Sequence, residues 1–151
     1  MIRLKSLRAG LKELLSLNDT PDRIAKGATW GIFISITPTF GLHALIALGI
    51  SIIFRLNKLA TVVGSWFNNH LTAIPIYYMC YKVGTFITGK NVDFSIKPLS
   101  FSRYLHLGLD ILVPLWIGSI IIGILISFPM FFIIRYVLKK YKEKKYDTIK
   151  R

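Results

Sequence analysis

The chain has 151 residues, 53% of them hydrophobic, and a formal net charge of +13, which allows one domain. Residues 27–54, 59–81 and 111–134 contain no Asp, Glu, Lys or Arg, and each run exceeds the roughly 18 apolar residues that mark a membrane-segment candidate. A soluble domain is therefore not expected, and nucleic acid is not the expected partner, because Lys and Arg flank these runs instead of tiling one face.

Residues 1–19 read as a basic amphipathic helix. Leu4, Leu7, Leu11, Leu14 and Leu15 recur at helical spacing, with Arg3, Lys5, Arg8 and Lys12 largely opposite. Such a helix lies on the cytoplasmic leaflet or packs against the rest of the protein. The next helix has a well-marked start: Thr20 suits the N-cap, Pro21 the first helical position, and Asp22 the positive helix end. A membrane domain is expected over residues 20–135.

The first apolar run would span about 42 Å as one straight helix, against a hydrocarbon core of about 30 Å. It holds Thr37-Pro38-Thr39-Phe40-Gly41 near its centre. Pro38 removes a backbone donor and Gly41 permits a sharp reversal, so a re-entrant hairpin is expected, with a kinked spanning helix as the alternative. The run is too long, and lacks the small-residue cleavage pattern, for a removable signal peptide.

The second run, residues 59–81, carries Asn68-Asn69-His70-Leu71-Thr72 at its centre and Pro75 soon after. Consecutive polar side chains at bilayer depth must be satisfied by protein or a wet cavity, so a second break is expected, at Asn68–Thr72 and Pro75. Tyr77, Tyr78 and Tyr81 read as an interfacial belt. Residues 88–106 read as a polar connector. The third run, 111–134, is the plainest spanning helix, and Ser119 with Gly123 is a candidate small-xxx-small contact for a homodimer. Residues 136–151 read as a basic cytoplasmic tail. The single Cys80 excludes an internal disulfide.

Positive residues mark the cytoplasmic side. Residues 1–26 hold six Lys or Arg and residues 135–151 hold eight, so both termini are expected inside, which requires an even number of crossings. A re-entrant first run satisfies this parity and keeps Arg55 and Lys58 inside. A re-entrant second run gives the same parity but exports them. The expected fold is therefore an all-α, multi-pass integral protein of a bacterial inner membrane, with two broken segments and one C-terminal spanning helix.

The sequence resembles a bacterial family known as domain of unknown function 2062, over roughly residues 20–135. The resemblance rests on Thr20-Pro21 followed by Ile24-Ala25, the stretch from Gly31 to Phe33, Pro38 with Gly41, and Arg55-Leu56-Asn57. It continues through Trp66 with Asn69, Leu71-Thr72, Pro75 with Tyr77-Tyr78, and Gly118. Where the family typically carries Asn-Pro-Leu-Thr, this chain has Asn69-His70-Leu71-Thr72. His43 stands where the family commonly has Gln. The resemblance implies a membrane module, sometimes joined to glycosyltransferase domains, with no established reaction.

No nucleophile elbow, phosphate loop, HExxH or paired Cys motif occurs, and the apolar runs hold no carboxylate for acid–base work. No catalytic activity, cofactor or metal is expected: His43 and His70 lack a carboxylate or thiolate partner and are expected to bond freed backbone carbonyls instead. The candidate substrate-binding residues are Thr37, Thr39, His43, Asn68, Asn69, His70 and Thr72, with Arg55 guiding an anionic headgroup. They form a pocket between broken helices, of the kind transporters use for anionic groups. Transport or presentation of an anionic lipid-like or small anionic substrate is one expectation. The alternative is a non-catalytic scaffold or subunit for an envelope-assembly enzyme such as a glycosyltransferase. Membrane lipids are expected partners in either case.

Overall fold

The computed structural model describes residues 18–39, 41–68, 70–89 and 101–149. The basic helix read over residues 1–19 lies outside this set up to residue 17, as does most of the polar connector. Among the described residues the chain is all-helical: α1 (Pro21–Ile36), α2 (His43–Ile53), α3 (Lys58–Ser65), α4 (His70–Thr88) and α5 (Phe101–Ile149).

The start of α1 follows its sequence signals. The Thr20 hydroxyl accepts from the Arg23 amide at 3.3 Å, Pro21 opens the helix and Asp22 occupies its first turn. The helix stops at Ile36 because Thr37, which precedes Pro38, is extended (φ −72°, ψ 145°). Gly41 turns the chain at φ +78°, and α2 runs back. The end of α2 is a Schellman closure, in which the Leu56 amide donates to Ser51 O at 2.8 Å and the Arg55 amide to Ile52 O at 3.3 Å. The left-handed position that usually takes Gly is held by Arg55, at φ +51°. Asn57 then caps α3, its Oδ1 accepting from the Ala60 amide at 2.9 Å.

Glycines set how closely the helices approach. A Cβ on Gly31 would meet Thr61 O at 2.1 Å, and one on Gly64 would meet Ala28 O at 2.2 Å. These contacts pair α1 with α3 in parallel, both rising from one end of the molecule. On the other side, Gly84 abuts the Pro114 carbonyl and Gly118 the Cys80 carbonyl, so α4 and α5 run antiparallel. Phe33 rests on Gly123 and Asp22 pairs with Arg135, which sets α1 antiparallel to α5.

The interior is rich in small and hydroxyl side chains. Ser35, Thr61 and Ser119 are 0% exposed, whereas Phe86 is 89% and Leu125 73% exposed. The buried hydroxyls bond back within their own helices, Ser35 to Ile32 O, Thr61 to Asn57 O and Ser119 to Leu115 O. These three leave no unsatisfied donor and permit close packing, whereas the buried Ser127 hydroxyl has no partner among the described residues.

Several expectations need correction. Of the three apolar runs, only the third remains one long helix; Asp110–Glu143, 34 residues, is the one described helix long and apolar enough to cross a membrane. Pro75 does not break the second run. It sits inside α4, in the second turn, where its missing N–H forfeits only one early ladder bond. The interruption lies upstream, at Trp66–Asn68. Ser119 and Gly123 are buried, Gly123 against Phe33 and the adjoining Gly118 against Cys80 of α4, so this pair does not face outward to a second copy. The connector is shorter than residues 88–106, since α5 already begins at Phe101, and residues 136–149 continue α5 without a backbone boundary at 135.

Candidate functional site

The two interruptions meet. After α1 ends, its last carbonyls lack helical partners, and side chains from elsewhere supply donors. Asn68 Nδ2 donates to Ser35 O at 2.9 Å across 33 residues of sequence. Ile34 O accepts both the Thr37 amide (3.1 Å) and the Thr37 hydroxyl (2.7 Å). The Thr37 carbonyl is met by three groups: the Thr39 amide at 2.8 Å, His43 Nε2 at 3.2 Å and the Tyr77 hydroxyl at 3.3 Å. The Thr37 and Thr39 hydroxyls lie 3.5 Å apart, and the Thr72 hydroxyl donates to Asn68 Oδ1 at 3.0 Å.

Of the residues singled out from the sequence, Thr37, Thr39, His43, Asn68 and Thr72 thus form one connected group, with Pro38 and Gly41 in the loop that carries Thr37 and Thr39 and leads into His43. Asn69 and the side chain of His70 lie outside the described residues. Arg55 stands apart, at the far end of α2, where its carbonyl accepts Arg23 Nη2 at 3.1 Å. Tyr77 belongs to the group although the sequence suggested only an interfacial ring. No local signal links it to a carbonyl 40 residues away.

A second polar group lies at the opposite end of α1, where the base of α1, the α2–α3 link and the C-terminal part of α5 converge. Asp19 is its hub. Its carboxylate accepts the Thr20 amide at 2.7 Å, Arg23 Nη1 at 3.3 Å and Asn57 Nδ2 at 3.0 Å, while its carbonyl accepts Lys142 Nζ. Burial alone would raise the Asp19 pKa. The Asn57 and Thr20 hydrogen bonds, with the charges of Arg23 and Lys142, outweigh that effect and hold it below its ordinary 3.8. Beside it, Arg135 Nη2 donates to Asp22 Oδ2 at 3.4 Å. Nε and Oδ1 approach to 2.5 Å, but outside hydrogen-bonding directions. Both partners are more than a third exposed, so this pair contributes at most about 1 kcal/mol. The sequence marks Asn57 only within Arg55-Leu56-Asn57 and gives Asp19 no role of its own. Their meeting, 38 residues apart, was not visible there.

Among the described residues, no three His, Cys, Asp or Glu side chains gather as metal ligands. The arrangement defines a class: an all-helical protein with one candidate membrane-spanning helix, hydroxyls packed inside and large apolar side chains outside. The chain belongs to the bacterial family described as "Uncharacterized protein conserved in bacteria (DUF2062)", which it matches over residues 4–147. No curated protein and no solved structure matches it.

Proposed function

We propose that this chain is a multi-pass protein of the bacterial inner membrane that binds an anionic lipid-like or small anionic substrate where its two broken segments meet, and moves or presents it. The carrying observation is the contact between the breaks, Asn68 Nδ2 to Ser35 O at 2.9 Å. Two helices end at this junction and two begin there, so oppositely signed helix ends gather. Phe33 rests on Gly123, about 18 Å along α5 from Arg135, and Thr37 lies one helical turn further on. The junction is thus well inside the apolar zone. The α2 N-terminus opens onto it with no side-chain cap.

In this reading α1 and α2 enter and return, α3 and α4 together cross, and α5 crosses back. The basic end, with Arg23, Arg55, Lys58 and Arg135, faces the cytoplasm. The role is non-enzymatic. The test is uptake of a labelled anionic phospholipid by vesicles containing the purified protein, compared with His43→Ala at equal abundance. Protein-dependent flux that falls in the variant supports the reading.

A scaffold or subunit for an envelope enzyme such as a glycosyltransferase is the second reading. It is favoured by one observation: Asn68, His43 and Tyr77 all direct polar atoms at the chain's own carbonyls. Absence of flux across several anionic lipids, with His43→Ala lowering abundance instead, supports that reading.

A further inference from the structure

The α1–α2–α3 corner, at the basic end and away from the junction, combines exposed cations with an exposed aromatic wall. Arg23, Lys26 and Trp30 recur at i, i+3 and i+7 on one face of α1. Across from them the α2–α3 link brings up Phe54 and Arg55, and the start of α3 brings up Lys58. Two contacts fix the match: Arg23 Nη2 donates to Arg55 O at 3.1 Å, and the Trp30 and Phe54 rings stack at 5.3 Å with planes 16° apart. Gly27 lies against Asn57 O, so Lys26 is held near the start of α3. Lys26, Arg55 and Lys58 are exposed, and none forms an ion pair with a described residue. Directly on the junction-ward side, Ile53, Phe54 and Leu59 are exposed apolar groups.

We propose that this corner binds one anionic phospholipid, its phosphate between Lys26, Arg55 and Lys58 and an acyl chain along Trp30 and Phe54. Charge complementarity selects the headgroup and the aromatic wall selects a lipid over free phosphate. Clustered cations at the cytoplasmic ends of membrane helices recognise anionic headgroups in this way. The site stands whether or not the junction carries a substrate.

Trp30 reports occupancy once Trp66→Phe and Trp116→Phe leave it as the sole indole. The protein in mixed micelles is titrated with phosphatidylglycerol or phosphatidylcholine carrying brominated chains, which quench on contact. Brominated phosphatidylglycerol is expected to quench at several-fold lower mole fraction, and removing each cation is expected to reduce that preference roughly fivefold. Arg55→Gly is the decisive variant, because it removes charge while relieving a left-handed backbone, so lost preference cannot be assigned to misfolding. Equal quenching by both lipids overturns the proposal. So does a preference that survives Arg55→Gly with Lys26→Ala and Lys58→Ala, or one that falls as far with Lys139→Ala and Lys140→Ala on α5.

Discussion

Gly31→Ala is the sharpest test of the helix arrangement. The added methyl would sit 2.1 Å from the Thr61 carbonyl oxygen and 2.7 Å from the Ser65 amide nitrogen, both backbone atoms of α3 that cannot swing aside. Reaching an ordinary contact near 3.4 Å requires α1 and α3 to separate by about 1.3 Å (3.4 − 2.1). Overpacking of this kind costs about 1–3 kcal/mol. The loss of the flexible glycine returns up to about 1 kcal/mol in helix preference, so a net destabilisation of up to about 2 kcal/mol against wild type is expected, and about 1–3 kcal/mol against a control that keeps the same helix gain. Gly49→Ala is the matched control, since a methyl added there on α2 would have nothing within 4 Å of it. That variant keeps the helix gain without the clash and is expected to match or exceed the wild type. The assay is reversible denaturation in mixed micelles, followed by circular dichroism. If Gly31→Ala proves as stable as Gly49→Ala, the two helices do not touch at Gly31 and the parallel pairing is wrong.

Tyr77→Phe removes one of three donors to the Thr37 carbonyl and is expected to cost about 1 kcal/mol in the same assay. Asn68→Leu leaves Ser35 O without its cross-break donor and is expected to cost more, about 1–3 kcal/mol; equal stability to wild type would show the breaks are not joined. Asp19 has a lowered pKa when folded, so its contribution is complete above 3.8 and disappears as pH falls through the lower folded value. The melting-temperature gap between wild type and Asp19→Asn should therefore be constant near neutrality and close under strong acid. Single cysteines at 57 and 141 are expected to label from the same side of the membrane and one at 89 from the other, read with an impermeant maleimide in Cys80→Ser protein.

The parts of this architecture written in local chemistry were legible. Thr20-Pro21-Asp22 announces a helix start because capping, fixed φ and dipole all act within one turn. Pro38 with Gly41 announces an interruption because one lacks a donor and the other tolerates positive φ. Pro75 misled because the same missing donor is harmless early in a helix. Its location in α4 depends on where that helix starts, at His70, which the polar run Asn68–Thr72 did not resolve. Charge counting asked only for an even number of crossings, which a first or a second run that turns back would satisfy, and the chain reverses between α1 and α2. What stayed hidden was pairing at a distance: Tyr77 with Thr37, Asn57 with Asp19, and the inward turn of Ser119 and Gly123. Those positions follow from how helices stack, which no single segment encodes.

The antiparallel pairing of α1 with α5 bears on how the chain is made. Neither arm of the α1–α2 hairpin is long enough to cross a bilayer unaided, at about 24 and 16 Å. The Asp22–Arg135 bond joins positions 113 residues apart. A nascent chain arrested before Asp110 therefore holds its hairpin only through α3 and the Asn68 and Tyr77 contacts, and cysteines placed in α2 should react faster there than in the full 151-residue chain. On the proposed topology, α5 is what would fix the α1–α2 hairpin in depth.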